Sequence, residues 1–163
     1  LSAKHLLKNS KKLIILKAFT KLYGMAGVRL GYCLCSDTEL LARMRAAGQP
    51  WAVSSLAQAA GIAALDETEY VAKVRALIEA QRPVLADGLR ALGLRVIEGR
   101  ANYLLFRAPE ALGEALRRKG AVLRSCGNYP GLDASWYRTA VRTENENRQL
   151  LALLAETLPE VAQ

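Results

Sequence analysis

One histidine, three cysteines, two phenylalanines and two tryptophans are all that 163 residues hold of those types. His5 stands alone, and Cys33, Cys35 and Cys126 give no metal-ligand spacing with it, so no metal is expected. So sparse and odd a cysteine set builds no disulfide framework and suits a reducing, cytoplasmic setting. No apolar run approaches a membrane span, and the first residues have neither the h-region nor the cleavage site of a signal peptide. Phosphate loops of the G-x-x-x-x-G-K type and dinucleotide fingerprints are both missing. Acid is missing from the whole opening stretch: residues 1–29 carry Lys4, Lys8, Lys11, Lys12, Lys17, Lys21 and Arg29 and not one Asp or Glu.

What is present describes a folded chain. Apolar residues make up 52% and charged residues 23%, which excludes disorder, and the length suits one ordinary domain or two small ones. The net charge is +8, yet residues 30–163 hold 16 basic and 15 acidic side chains. A uniform basic surface for nucleic acid would not be concentrated in this way, so neither a nucleic acid nor a membrane is expected as partner.

Along the chain, residues 1–8 read as the end of a helix. The run Leu-Ile-Ile-Leu at 13–16 reads as a strand covered on both faces. Such a strand needs neighbours that nothing before it supplies, so the chain reads as a piece of a longer protein. A loop at 20–27 leads to a strand at 28–35, and Ser36 with Glu39 forms a capping box for a helix at 40–47. Trp51 reads as a packing anchor, and the uncharged, Ala-rich stretch 54–65 as a buried helix. A helical stripe over 66–92 contains Pro83, which should kink or divide it, and ends at Gly93. Strands at 94–98 and 102–107, a helix at 109–119 and strands at 121–124 and 136–141 follow. Thr143 and Glu146 then cap a helix at 144–157.

The informative segment is Thr20-Lys-x-Tyr-Gly-x-Ala-Gly-x-Arg29-Leu-Gly-Tyr32. It puts a lysine in a loop just past an apolar strand, with a hydroxyl before it and an arginine eight residues on. That combination can hold pyridoxal phosphate: an amine for the aldehyde, a hydroxyl and a planar fork of donors for the phosphate. A nearby guanidinium also favours the neutral amine that such chemistry requires.

The motif resembles that of fold-type I pyridoxal-phosphate-dependent enzymes, the aspartate aminotransferase superfamily, and within it the branch of threonine-phosphate decarboxylase and histidinol-phosphate aminotransferase. The resemblance runs over essentially the whole chain. It implies an α/β fold, the C-terminal part of such a transferase: a remnant of the large cofactor-binding domain at 1–66, then a bridging helix and small domain at 67–163. It makes Lys21 the catalytic, cofactor-bearing lysine, with Thr20 and Arg29 on the cofactor phosphate. Ala18 departs from the pattern, since many relatives have Ser or Thr three residues before the lysine.

Downstream, Arg124 precedes a Gly/Pro loop and Arg138 sits in the next strand. By the same resemblance Arg138 matches the arginine for a substrate acid group and Arg124 the one for a substrate phosphate, while Asn102 touches the site from the small domain. The run Arg124-Ser-Cys-x-Asn-Tyr-Pro-Gly-Leu-Asp133 is more similar to the decarboxylases. The expected substrate is a small phosphorylated amino acid or amine, and the whole protein is expected to be a homodimer. The carboxylate for the pyridine nitrogen and the ring-stacking aromatic lie upstream of the lysine in relatives, so this stretch should not turn over alone. A histidinol-phosphate-type aminotransferase and a non-catalytic basic binding module are the alternatives.

Overall fold

The strand that opens at Ile15 pairs with the first strand able to return alongside it. In a computed structural model, which describes residues 2–161, β1 (Ile15–Ala18) and β2 (Gly31–Leu34) form an antiparallel pair with Ala18 opposite Gly31. A 3-10 helix, Ala3–Asn9, precedes them, capped by Ser2; Leu1 of the expected helix lies outside the described residues. The second strand is shorter than the expected 28–35, because residues 26–29 are spent on a turn. The side chain of Leu16 is 77% exposed, so within this chain the strand is not covered on both faces.

Helix α1 (Thr38–Ala47) is capped by Asp37, whose Oδ1 accepts from the Leu40 amide at 2.9 Å. Ser36, the expected cap, donates instead to the Ser10 carbonyl. A carboxylate at the cap position meets the helix's unpaired amides with more charge than a hydroxyl. Helix α2 (Ser55–Asp66), capped by Ser54, corrects a second expectation: it buries only Ala57, Gly61 and Ala64. Gly61 explains this, since a Cβ there would collide with Leu30 and touch Phe19. The helix seats its small-residue stripe against the hairpin and turns Leu56 and Ile62 outward. Trp51, almost wholly exposed, anchors nothing among the described residues.

The chain divides into two compact units between Ala72 and Lys73, inside α3 (Thr68–Ala91). Pro83 neither divides nor ends this helix. It lies on the exposed side, where solvent can take the freed Glu79 carbonyl, while Leu85, Ala86 and Leu89 pack inward. Gly93 at φ +78° closes the helix as expected, with the Leu94 amide donating to the Leu89 carbonyl.

The second unit is a four-stranded antiparallel sheet backed by helices. Strands β3 (Arg95–Ile97), β4 (Tyr103–Arg107), β5 (Arg124–Ser125) and β6 (Trp136–Ala140) lie in the order β3-β4-β6-β5. Alternation along β4 and β6 sends Leu104, Phe106, Tyr137 and Thr139 inward. There Leu104, Phe106 and Tyr137 share a core with Leu85 and Leu89 of α3, Leu112 and Leu116 of α4 (Leu112–Arg118), and Leu154 of α5 (Glu144–Val161). Strand β5 starts later than expected. Gly120, at φ +83°, and Ala121 are used to finish α4, the Ala121 amide donating to the Leu116 carbonyl. The capping box of α5 forms as expected, the Thr143 hydroxyl accepting from the Glu146 amide at 3.4 Å and Glu146 Oε2 accepting from the Thr143 amide at 3.2 Å; that helix runs past residue 157 and through Pro159.

Candidate active site

The site in the first unit grows out of the β1–β2 ladder. Beyond Ala18–Gly31 the pairing continues, with the Phe19 amide donating to the Leu30 carbonyl at 3.2 Å. There the ladder stops: Thr20 and Lys21 enter the loop on one side, and Arg29 leaves it on the other, both ends in turns. Phe19 is the nail that holds this loop down. It is 3% exposed and packs on Tyr23 (ring centroids 5.1 Å apart) and Tyr32 (5.9 Å). With Phe19 inward, Lys21 stands exposed on a turn closed by the Gly24 amide on the Lys21 carbonyl.

Arg29 has φ +56°, the left-handed region in which a side chain costs about 1–2 kcal/mol. Its Nη1 donates to the Ala26 carbonyl at 3.2 Å, tying the guanidinium to its own turn. No carboxylate lies within ion-pair distance of Lys21 or Arg29 among the described residues, and the chain's first acid is Asp37. A Cβ added at Gly24 or Gly27 would meet nothing within 4 Å, so the ground beside the lysine is open. An amine, a hydroxyl and a guanidinium on one loop, without a competing acid, are the donor types that an aldehyde carrying a phosphate calls for.

The second unit presents the other candidates on the sheet face away from its helices. Arg124 on β5 is directly paired with Arg138 on β6, and Leu105 of β4 flanks Arg138 on the other side. Like charges set opposite each other across a strand pair repel. No ion pair relieves either arginine among the described residues. Uncharged groups hold them instead. The Arg138 guanidinium carbon lies 4.5 Å from the centre of the Tyr103 ring and that of Arg124 lies 6.0 Å from Tyr129, while Arg124 Nη2 donates to Asn128 Oδ1 at 3.3 Å. Asn102 sits exposed at the entry to β4, its carbonyl accepting from the Val141 amide.

The loop between the two arginines is clamped at its far end. Ser135 is buried; its hydroxyl donates to Asp133 Oδ1 and accepts from Arg107 Nε at 2.8 Å. That hydroxyl, then the Ser135 amide, and then the Arg107 charge hold the Asp133 carboxyl below its ordinary pKa. Tyr103, Asn128 and Ser135 had not been singled out by sequence. Alternation alone puts Tyr103 on some sheet face, but only the β4–β6 register puts it beside Arg138. Among the described residues no group of three or more His, Cys, Asp and Glu is placed to hold a metal, and no helix is long and apolar enough to cross a membrane.

Residues 2–154 match the family model described as aminotransferase class I and II. The chain is 38% identical over 160 residues to threonine-phosphate decarboxylase from Salmonella typhimurium, covering 96% of this chain and 44% of that protein. The solved histidinol-phosphate aminotransferase from Clostridium acetobutylicum is 31% identical with a TM-score of 0.92, over 98% of this chain and 49% of that one. The histidinol-phosphate aminotransferase from Sinorhizobium meliloti, solved in complex with pyridoxal-5'-phosphate, shares the fold at 24% identity and a TM-score of 0.75, over 94% of this chain and 42% of that one. The chain thus spans about half the length of the relatives it matches.

Proposed function

We propose, from the premise that this chain belongs to the class I and II aminotransferase family, that it is part of a pyridoxal-phosphate enzyme acting on a small phosphorylated amino acid or amine. The observation that carries the substrate class is the Arg124–Arg138 pair, two guanidiniums in register with no acid between them. A doubly anionic substrate turns that repulsion into two charge-assisted, forked contacts. In this reading Asn102 adds a polar contact to the same substrate.

Lys21 would hold the cofactor covalently, and the Thr20 hydroxyl and Arg29 would bind its phosphate. Support comes from the position of Thr20 and Arg29 at the two ends of the one loop that follows the β1–β2 ladder, and from the left-handed backbone at Arg29, where glycine would be easier to accommodate. When bound, the cofactor supplies an aldehyde for amines and a ring that withdraws electrons from the reacting carbon. The Lys21 amine then moves a proton at the substrate Cα. The non-catalytic basic module has no support from a family of enzymes. The whole protein would be a homodimer, and three free cysteines suit a cytoplasmic setting for it.

Of the two reactions, loss of CO2 from threonine phosphate is the first reading, favoured by the Ser125–Asp133 run and by the decarboxylase relative. Transamination of histidinol phosphate is the second, favoured by the 0.92 TM-score to such an enzyme. The test uses the whole enzyme with pyridoxal phosphate. Its absorbance should shift on binding, and borohydride should trap the cofactor on the Lys21 peptide; Lys21→Ala should abolish both. CO2 release from threonine phosphate without a keto acid supports the first reading. Glutamate-dependent half-transamination without CO2 sinks it in favour of the second.

A further inference from the structure

We propose that Tyr103 is a positioning residue for Arg138: its ring face orients the guanidinium toward the substrate's acid group without itself touching substrate. The inference rests on the reading that Arg138 binds that group. Tyr103 pairs with Ala140 on β6, and Arg138 pairs with Leu105 on β4. The tyrosine is therefore the diagonal neighbour of the arginine on one sheet face, within reach of a long side chain. The guanidinium carbon lies 4.5 Å from the ring centre, well inside the range of a cation–π contact.

The choice of an aromatic ring matters chemically. A carboxylate would also orient Arg138, but it would neutralise the charge and compete with an anionic substrate for the same N–H groups. A ring face attracts the cation while accepting none of its in-plane hydrogen bonds, so the forked donors remain for substrate. Orientation has to be imposed here, because Arg124 directly opposite pushes Arg138 away whenever the site is empty. Arg124 is held differently, by Asn128 and Tyr129 of its own loop. Among the described residues Tyr103 is thus the one aromatic contact that fixes Arg138 from a neighbouring strand.

The experiment compares Tyr103→Leu, Tyr103→Phe and Arg138→Leu in the whole enzyme with threonine phosphate or histidinol phosphate, whichever is turned over. Denaturation midpoints confirm that each variant folds. Tyr103→Leu is expected to raise KM about three- to tenfold while kcat stays within about twofold. Tyr103→Phe keeps the ring face and the parental KM, and Tyr103→Leu adds nothing in the Arg138→Leu background. A parental KM in Tyr103→Leu, or an equal loss in Tyr103→Phe, overturns the proposal while leaving the role of Arg138 standing. A parental KM in Arg138→Leu overturns the underlying reading, and the role of Tyr103 with it.

Discussion

Deleting one oxygen, in Tyr137→Phe, tests how the strand that carries Arg138 is tied to the rest of its unit. Helix α4 begins at Leu112 without any side-chain cap, because Ala111 occupies the position where Ser or Asp would ordinarily stand. The Tyr137 hydroxyl, reaching across from β6, does that job. It accepts from the Gly113 amide at 3.2 Å and donates to the Glu110 carbonyl at 2.6 Å. The ring is 2% exposed and lies 6.1 Å from Phe106, centre to centre, and phenylalanine would keep that packing. The loss is then confined to the hydroxyl's one accepted bond and its one donated proton, which the Pro109 carbonyl shares at 3.4 Å; at about 1 kcal/mol net each, about 2 kcal/mol of stability should disappear. Urea unfolding of this 163-residue chain would measure it, and amide exchange would locate it in the first turn of α4. A change below about 0.5 kcal/mol, or unaltered exchange at Gly113, would refute the idea that β6 caps α4.

Three further outcomes are expected. Gly31→Ala would place its Cβ 2.9 Å from the Lys17 carbonyl oxygen, a backbone atom that can retreat only by parting β1 from β2; the whole enzyme should lose borohydride-trapped cofactor along with stability. Arg29→Gly should be more stable than Arg29→Ala by about 1 kcal/mol, since φ +56° suits glycine, while both lose phosphate affinity. Asp133 and Glu146 have depressed pKa values, caused first by the Ser135 and Thr143 hydroxyls. Their contribution is therefore present above the ordinary carboxylate pKa and is lost as pH falls through the depressed one. Denaturation midpoints between about pH 5 and 2 should show a shallower acid loss in Ser135→Ala than in the parent; an unchanged slope would remove Asp133 from that role.

Much of the second unit was legible from local pattern. The strands expected at 102–107 and 136–141, the Thr143–Glu146 capping box and the stop at Gly93 are short-range physics, and each appears within a residue of its expected place. Misreadings arose where a distant partner decided. The Ala-rich helix looked buried by composition, yet Leu30 and Phe19 found only its Gly61 stripe. Strand β5 slipped because Ala121 was taken by the end of α4. Pro83 passed through α3 because the face it interrupts meets solvent.

The candidate residues divide along the same line. Lys21, Thr20 and Arg29 lie within ten residues of one another, so their grouping as candidates is read from sequence alone. Residues 124, 138 and 103 are near in space only because β4, β6 and β5 hydrogen-bond in one register. A slip of one residue would turn those side chains to the opposite face of the sheet. Tertiary structure therefore decided that two arginines stand opposite each other and that a tyrosine ring holds one of them.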